Sequence, residues 1–410
     1  MKQTHNRTGP VLSPSERRML LLPMTHGNKE RRTRLFNQIK NLAPSEIKKI
    51  KKELETKLFS HHREAEKIFL ENFYKALPQG ISGQTFSEDQ KLVAGSYYSK
   101  EYSVEAAALS NPSIVEHPDR SKLPKGATRF ILTLRAIGEG HVSSVEFREG
   151  LIGGNGEITV KRPGRFLCLP EYKSECAEFS GDLQLDERIL FPHFEYHKSG
   201  IEDMRLVKFT EKDKTLYYGT YTAFDGKTVR PGIIKTADFQ YFEFIQPSGK
   251  AAAGKNWALF PKKINGQYAA LSRQDGENIS IMFSDTIRSW NNSAVIIRPE
   301  RYREKLQVGT CGPPLLIEEG WLVIYHAVGP VREYSLGAIL LDKKDPSKII
   351  GRLGIPLLEP SRKKRGGYVP NAVYSCGGII KNGSLFLPYS ICDRKTAFAR
   401  TDIASILKRM

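Results

Sequence analysis

Residues 314–341, PLLIEEGWLVIYHAVGPVREYSLGAILL, contain three apolar runs that two polar segments separate. The runs are Pro314–Ile317, Trp321–His326 and Gly337–Leu341, with Glu319-Gly320 at the first turn. Short apolar and aromatic runs bounded by Gly, Asn and Asp are typical of antiparallel β-strands. This stretch therefore predicts a small sheet in which consecutive strands pair.

The same order of runs and turns occurs five times along the chain, at a spacing of roughly 55 residues. The other copies begin near Asn111, Arg205, Leu259 and Val373. A small antiparallel sheet cannot bury both of its faces alone, so neighbouring copies are expected to stack around an axis. We therefore predict an all-β fold, a five-bladed β-propeller at residues 91–410.

The region before the repeats has a different pattern. Residues 1–27 contain several Pro and Gly and are expected to be irregular. Residues 45–77 predict one long helix with Ser45 as its N-cap, which Pro78-Gln79-Gly80 ends. We interpret residues 1–90 as a basic, mainly helical N-terminal extension. We expect its apolar stripe to pack on the outside of the propeller; the stripe contains Ile47, Ile50, Leu54 and Leu58.

The charge of the chain is strongly positive, with a formal net value of +18 over 410 residues. Residues 1–75 hold 17 Lys and Arg against 8 Asp and Glu, which accounts for +9 of it. We favour a solvated, lysine-rich helical face; the alternatives are binding of nucleic acid or acidic lipid, and the attraction of an anionic substrate such as phosphate. A nucleic-acid partner is not expected, because aromatic residues are not interleaved with the basic ones.

Other features of the composition narrow the class of protein. No apolar run approaches the roughly 20 residues of a membrane helix, so we expect no membrane partner and a cytoplasmic location. The five cysteines are scattered and form no C-x-x-C pair, which disfavours a disulfide framework or a zinc site. We expect no metal and no cofactor, and the sequence leaves a homo-oligomer open.

One copy of the repeat opens with two adjacent acids, Glu202 and Asp203, followed by Arg205. In a propeller the starts of the inner strands surround a central channel, so polar residues at matching points should converge. A carboxylate among cations and amides suggests a proton donor beside an anion or sugar site. Taken singly, these residues could equally cap turns or form ion pairs. The expected members of this group are Asn111, Arg135, Asp203, Arg273, His326 and Asn371.

These residues lie in motifs that resemble glycoside hydrolase family 130, the β-mannoside phosphorylases and related β-mannosidases. The resemblance covers residues from about 105 to 402 and is carried by several moderate motifs in the same order. They are Gly200–Arg205, Ala258–Ile264, Gly312–Pro314, Trp321–His326, Tyr334–Asp342 and Val369–Asn371.

The resemblance implies a reaction and a set of roles. Asp203 is the implied general acid, and phosphate is the implied co-substrate, which attacks the sugar with inversion and gives α-mannose 1-phosphate. The implied phosphate-binding residues are Arg273, His326, Tyr334 and Lys255. The implied sugar-binding residues are Asn111, Arg135, Asn371 and Asp393.

Two departures keep other functions open. Met204 stands where the phosphorylases usually have proline, and Gln307 stands where many relatives carry lysine. An inverting β-mannosidase would need a second carboxylate as base, for which Glu139, Glu195 and Glu277 are candidates. A non-catalytic carbohydrate-binding propeller is a further alternative. For the acid itself, we expect burial and the neighbouring Glu202 to raise the pKa of Asp203.

Overall fold

The computed structural model describes residues 6–24, 27–211, 214–361 and 366–410. The chain divides into two compact units. The β unit comprises Met1–Pro14, Ala107–Pro163 and Leu169–Met410, and the helical unit comprises Ser15–Ala106 and Gly164–Cys168. A mainly β chain with a helical region before the repeats is thus confirmed.

The N-terminal residues form two strands, so the prediction of an irregular segment over residues 1–27 is wrong. Strand β1 (Asn6–Leu12) pairs with the last strand of the β unit, and β2 (Met19–Pro23) belongs to the helical unit. Pro10 and Pro23 are compatible with this because proline, which lacks an N–H, is tolerated at sheet edges and strand ends.

The helical unit contains four helices and a two-stranded sheet. Its elements are α1 (Lys29–Lys40), α2 (Pro44–Leu54), α3 (Ala65–Ala76), α4 (Glu88–Ser96) and β3 (Ser99–Ser103), which pairs with β2. A π-helical turn at Glu55–Phe59 and a loop separate α2 from α3, so the one long helix predicted over residues 45–77 is wrong. Helix α2 begins at Pro44, because proline suits the first turn, and Ser45 is not its cap. Residue 90, the predicted domain boundary, lies inside α4.

The apolar stripe of α2 packs inside the helical unit. Ile47, Ile50 and Leu54 contact a cluster that contains Phe36 and Phe73. Helix α3 then approaches α4 so closely that a Cβ on Gly95 would lie 1.8 Å from the carbonyl oxygen of Phe69. The helices therefore cover the stripe themselves, where we expected the β-sheets to cover it.

The first two copies of the repeat form antiparallel sheets that a parallel bridge between Gly200 and Ser143 joins. The first contains β4 (Ala108–Glu116), β5 (Thr128–Ile137), β6 (Ser143–Ile152) and β7 (Ile158–Val160). Residues that separate the copies add β8 (Glu171–Lys173), β9 (Cys176–Glu178) and β10 (Ile189–Leu190) at the outer edges. The second contains β11 (Gly200–Glu211), β12 (Lys214–Phe224), β13 (Val229–Thr236) and β14 (Tyr241–Ile245).

The other three copies are also antiparallel sheets. The third contains β15 (Lys255–Leu259), β16 (Tyr268–Arg273), β17 (Ile279–Ser284) and β18 (Asn292–Ile297). The fourth contains β19 (Gln307–Thr310), β20 (Leu315–Leu316), β21 (Trp321–Val328), β22 (Tyr334–Leu341) and β23 (Ile349–Arg352). The fifth contains β24 (Val373–Tyr374), β25 (Ile379–Lys381), β26 (Ser384–Ile391) and β27 (Lys395–Asp402); α5 (Ile403–Leu407) follows it. Strand β1 extends this last sheet by pairing with β27.

Neighbouring sheets share apolar cores. Aromatic pairs join the first sheet to the fifth, the first to the second, the second to the third and the third to the fourth, and aliphatic side chains join the fourth to the fifth. The aromatic pairs are Phe130–Phe398, Phe147–Phe242, Phe209–Tyr268 and Phe260–Trp321. No helix among the described residues is long and apolar enough to cross a membrane.

Candidate active site

A cavity of about 330 Å³ in the β unit brings together eight of the nine residues that the sequence analysis singled out. Asn371 is the exception: its backbone carbonyl accepts a hydrogen bond from the Tyr334 N–H, and its side chain does not line the cavity as described. The eight are Asn111, Arg135, Asp203, Lys255, Arg273, His326, Tyr334 and Asp393. Residues that the sequence analysis did not assign also line it: Glu202, Asn256, Gln307, Arg332, Val369, Ala372 and Tyr374.

Three polar residues of the cavity lie at β-bulges on the first strands of consecutive sheets. Asn111 on β4, Asp203 on β11 and Asn256 on β15 have φ values of 49°, 53° and 61°. A bulge inserts an extra residue and redirects its side chain, and Asn and Asp tolerate this left-handed conformation better than other non-glycine residues. Asn256 could have been found from the sequence, because it stands at the same point of its sheet as Asn111 and Asp203.

Asp203 is held by donors from the first and second sheets. Asn111 Nδ2 donates to Asp203 Oδ1 at 2.7 Å, and Ser390 Oγ fixes the amide by donating to Asn111 Oδ1 at 3.1 Å. Arg135 lies 3.4 Å from Asp203 Oδ1 and 2.7 Å from Glu202 Oε1. Arg205 donates to the Asp203 backbone carbonyl at 2.9 Å. The carboxylate therefore has a fixed position and a positive surrounding.

The pKa of Asp203 lies below its ordinary value, which contradicts our expectation from the sequence. Burial acts to raise the pKa of Asp203, but the charges of Arg135 and Arg205, the amide of Asn111 and the charge of Lys255 outweigh burial. Asp203 is therefore ionised at neutral pH. A role as proton donor requires that a bound ligand raise this pKa.

The other wall of the cavity carries the groups expected to bind an anion. Arg273 Nη1 lies 3.5 Å from His326 Nε2, and the His326 ring stacks on Tyr334 with centroids 5.8 Å apart. Burial above all, with the charges of Arg273 and Arg205, holds the pKa of His326 well below its usual value. His326 is thus neutral, so it contributes a hydrogen bond where the sequence analysis counted a basic group. Gly309 makes room for its ring, since a Cβ there would lie 2.5 Å from His326 Cε1.

A buried network that the sequence analysis missed supports both walls. Tyr374 Oη accepts hydrogen bonds from Arg205 Nη2 at 2.7 Å and from Asn256 Nδ2 at 2.8 Å. With both acceptor positions of the phenol oxygen occupied, its own O–H is available to donate to a bound ligand. No sequence signal distinguished this tyrosine, because it stands within an ordinary strand.

A further acid of the cavity, Asp393, also has a shifted pKa. Burial above all, reinforced by Asp203 and opposed by Arg135, raises the pKa of Asp393 to about 6. None of the glutamates considered as a hydrolytic base, Glu139, Glu195 and Glu277, lines the cavity within the described part of the chain. Within the same part, no group of three or more His, Cys, Asp or Glu could hold a metal ion.

Comparisons with known proteins identify the same family that the sequence motifs resemble. The sequence profile of glycoside hydrolase family 130, described as β-1,4-mannooligosaccharide phosphorylase, matches residues 183–410. A 1,2-β-oligomannan phosphorylase of Thermoanaerobacter sp. (strain X514) is 34% identical over 228 residues, 55% of this chain and 75% of that protein. A β-1,2-mannobiose phosphorylase of Listeria innocua is 32% identical over 235 residues, 55% of this chain and 64% of that protein.

A solved structure shares the fold. The β-1,2-mannobiose phosphorylase from Listeria innocua, in complex with β-1,2-mannobiose, superposes with a TM-score of 0.56 at 23% identity. The superposition covers 75% of this chain and 92% of the solved chain.

Proposed function

The chain belongs to glycoside hydrolase family 130, and from this premise we propose that it cleaves β-mannosidic bonds by phosphorolysis with inversion. The products would be α-mannose 1-phosphate and the shortened sugar. The observation that carries the proposal is that a carboxylate, Asp203, and the cations Lys255 and Arg273 line the same cavity. Phosphorolysis needs such cations to bind phosphate, whereas inverting hydrolysis needs a second carboxylate to activate water. The other carboxylates of the cavity are Glu202, which pairs with Arg135, and Asp393, which we assign to the sugar.

Each wall of the cavity receives a role in this proposal. Asp203 is the proton donor. The neutral imidazole of His326 and the hydroxyl of Tyr334 add hydrogen bonds to a phosphate held by Arg273 and Lys255. The sugar is bound by the amide and charged groups on the opposite side, for which we propose Asn111, Arg135 and Asp393. Asn371, whose side chain does not line the cavity, would act through its backbone carbonyl, which holds Tyr334.

The reaction can be written so that its bonds and protons balance. A phosphate oxygen forms a bond to the anomeric carbon as the bond from that carbon to the glycosidic oxygen breaks. The leaving oxygen receives a proton that Asp203 supplies through a hydroxyl group of the sugar. Attack and departure on opposite faces of the ring invert the configuration.

The low pKa of Asp203 links phosphate binding to proton donation. The positive charges near Asp203 hold its carboxyl ionised, and Lys255 is one of them. A phosphate dianion bound beside Lys255 would offset that charge, and a sugar would exclude water, so both would raise the pKa. The acid would thus become protonated only when both substrates are present.

We also infer that the five sheets form a five-bladed β-propeller. Apolar contacts link the sheets in the order one, two, three, four, five and back to one, which supports a closed ring. Pairing of β1 with β27 would then join the two ends of the β unit within one blade.

The test is a panel of β-1,2- and β-1,4-mannobioses and mannosyl-glucoses, incubated with and without inorganic phosphate. We expect mannoside cleavage to require phosphate and to give α-mannose 1-phosphate, detected by phosphorus and proton NMR. Free mannose released at the same rate without phosphate would assign the chain to hydrolysis. Binding without cleavage of any sugar would favour a carbohydrate-binding protein.

Replacement of Asp203 tests the acid. Asp203→Asn should lower turnover about 10²–10⁴-fold, the usual contribution of general acid catalysis. Asparagine keeps the left-handed backbone and the shape, so the protein should stay folded. Its melting temperature should fall at neutral pH, because the charge that Arg135 and Arg205 stabilise is lost. A mannoside with an activated leaving group, such as a nitrophenol, needs no proton and should recover much of the rate. Near-normal turnover of unactivated mannosides would leave Asp203 a structural role only.

A further inference from the structure

Arg332 is a cation of the cavity to which neither the motifs nor the repeat pattern assigns a role. It lies in the turn between β21 and β22, two residues before Tyr334, and lines the cavity. Its side chain is exposed and has no hydrogen-bond or ion-pair partner among the described residues. The adjacent Glu333 does not pair with it, because that carboxylate lies 3.0 Å from Arg303.

The backbone of this turn is strained. Val331 and Arg332 have φ values of 57° and 51°, and Val331 is 86% exposed, so packing does not compensate the strain. A β-branched residue in this region is a genuine outlier. The matching turn of the first sheet uses Gly140 and His141, with φ values of 68° and 61°. Strain that persists beside a cavity suggests a functional reason for the geometry.

The charge on the anion-binding wall is small for a dianion. Arg273 and Lys255 are its cations, but Lys255 Nζ also lies 3.6 Å from Glu202 Oε2. His326 is neutral for the reason given above. Gln307 lines the same wall without a charge.

We propose that Arg332 is a further phosphate-binding residue, which the strained turn holds at the mouth of the cavity. The assignment rests on the proposed phosphorolysis. An arginine offers paired N–H groups that match two phosphate oxygens, and an unpaired arginine loses no internal contact when the anion binds. Glu202 partly neutralises the charge of Lys255, and Arg332 would supply the positive charge that the phosphate site thereby lacks.

The test measures phosphate binding without any sugar, by titration calorimetry with inorganic phosphate. Loss of a charge-assisted hydrogen bond predicts that Arg332→Ala binds phosphate about tenfold or more weakly than the wild type. Arg332→Lys should recover part of the affinity. Arg298→Ala, which removes an exposed arginine outside the cavity, is the matched control and should leave the affinity unchanged.

Kinetics separate phosphate from sugar. The KM for phosphate should rise by a similar factor in Arg332→Ala, while the KM for the mannoside at saturating phosphate should stay within about twofold. An unchanged phosphate affinity, with or without a higher KM for the mannoside, would overturn the assignment, and so would a wild type that binds no phosphate. If the wild type binds phosphate through Arg332 but releases mannose in the absence of phosphate, the proposed phosphorolysis is wrong and the assignment of Arg332 to an anion site is retained.

Discussion

The direction of three cavity side chains depends on a backbone conformation that few residues adopt. Asn111, Asp203 and Asn256 all have positive φ at bulges. An alanine at these positions would cost roughly 1–2 kcal/mol in backbone strain in addition to the lost polar group. Asp and Asn can replace each other there without that cost, so Asp203→Asn separates chemistry from folding more cleanly than Asp203→Ala.

The raised pKa of Asp393 predicts that the stability of the folded chain depends on pH. Its pKa of about 6 in the folded chain exceeds the ordinary value of 3.8, so folding favours the protonated form. The associated stability is fully present below pH 4 and is lost as the pH rises towards about 6. Asp393→Asn cannot ionise, so it should be more stable than the wild type at pH 7.5, by about 3 kcal/mol, and similar at pH 4.

The measurement for Asp393 is the melting temperature of both proteins between pH 4 and pH 7.5. The difference should grow as the pH rises through 4 to 6 and then level off. A difference that does not vary with pH would show that Asp393 is ionised equally in the folded and unfolded chain. As a proposed sugar-binding residue, Asp393 should also show a raised KM for the mannoside when it is replaced.

For individual residues, the sequence predicts well which side chains line the same cavity. It predicts their ionisation states much less well. Eight predicted residues share the cavity because repeat phase and motif order fix their positions on the strands. The predicted direction of the pKa shift at Asp203 was wrong, because the shift depends on how close Arg135 and Arg205 lie to the carboxylate. The neutrality of His326 follows from the depth of its burial, which repeat phase does not encode.

At the scale of elements, strand β1 pairs with β27, which lies almost 400 residues later in the sequence. Asn6 pairs with Arg400, and a register shift between Thr8 and Leu12 accommodates Gly9 and Pro10. Without β1, the last sheet would end at β27 and expose its unpaired N–H and C=O groups. Composition suggested an irregular segment here, because Pro and Gly break most strands. Both are tolerated in an edge strand such as β1, so the prediction failed.

Removal of β1 should therefore destabilise the β unit. Deletion of residues 1–12 is expected to lower the melting temperature by several degrees, since a strand pairing and its side-chain contacts are lost. It should also promote association through the open edge of β27, visible by light scattering. Deletion of residues 1–5 is the control, because it ends before β1. Equal melting temperatures for both deletions would mean that β1 contributes no stability.

The prediction of strands failed at one kind of element. Second and third strands of the repeats are apolar and were placed correctly, whereas the first strands of the third and fourth sheets begin earlier than predicted. They start at Lys255 and Gln307, although their apolar runs suggested Leu259 and Pro314. Each of these two strands begins with a polar residue, Lys255 or Gln307, that lines the cavity. Hydrophobic periodicity is therefore weakest where the function lies.

At the scale of the molecule, half of the net charge of +18 lies in the first 75 of the 410 residues. Residues 1–75 carry +9, and by subtraction residues 76–410 carry the other +9. The cavity adds cations but also contains Glu202, Asp203 and Asp393, so the excess is not concentrated at the proposed site. Such a distribution produces a positive potential that attracts anions of any kind from a distance.

A positive potential of this kind predicts how salt affects the two substrates. Raising sodium chloride from about 0.02 M to about 0.3 M shortens the screening length severalfold, so the KM for phosphate should rise severalfold. The mannoside is neutral, and its KM at saturating phosphate should hardly change. Sodium sulfate at the same ionic strength should raise the phosphate KM further, because sulfate is a tetrahedral dianion that can also occupy the site. An equal rise in both KM values would mean that salt alters the fold, and a phosphate KM independent of salt would show that attraction by the net charge makes no contribution.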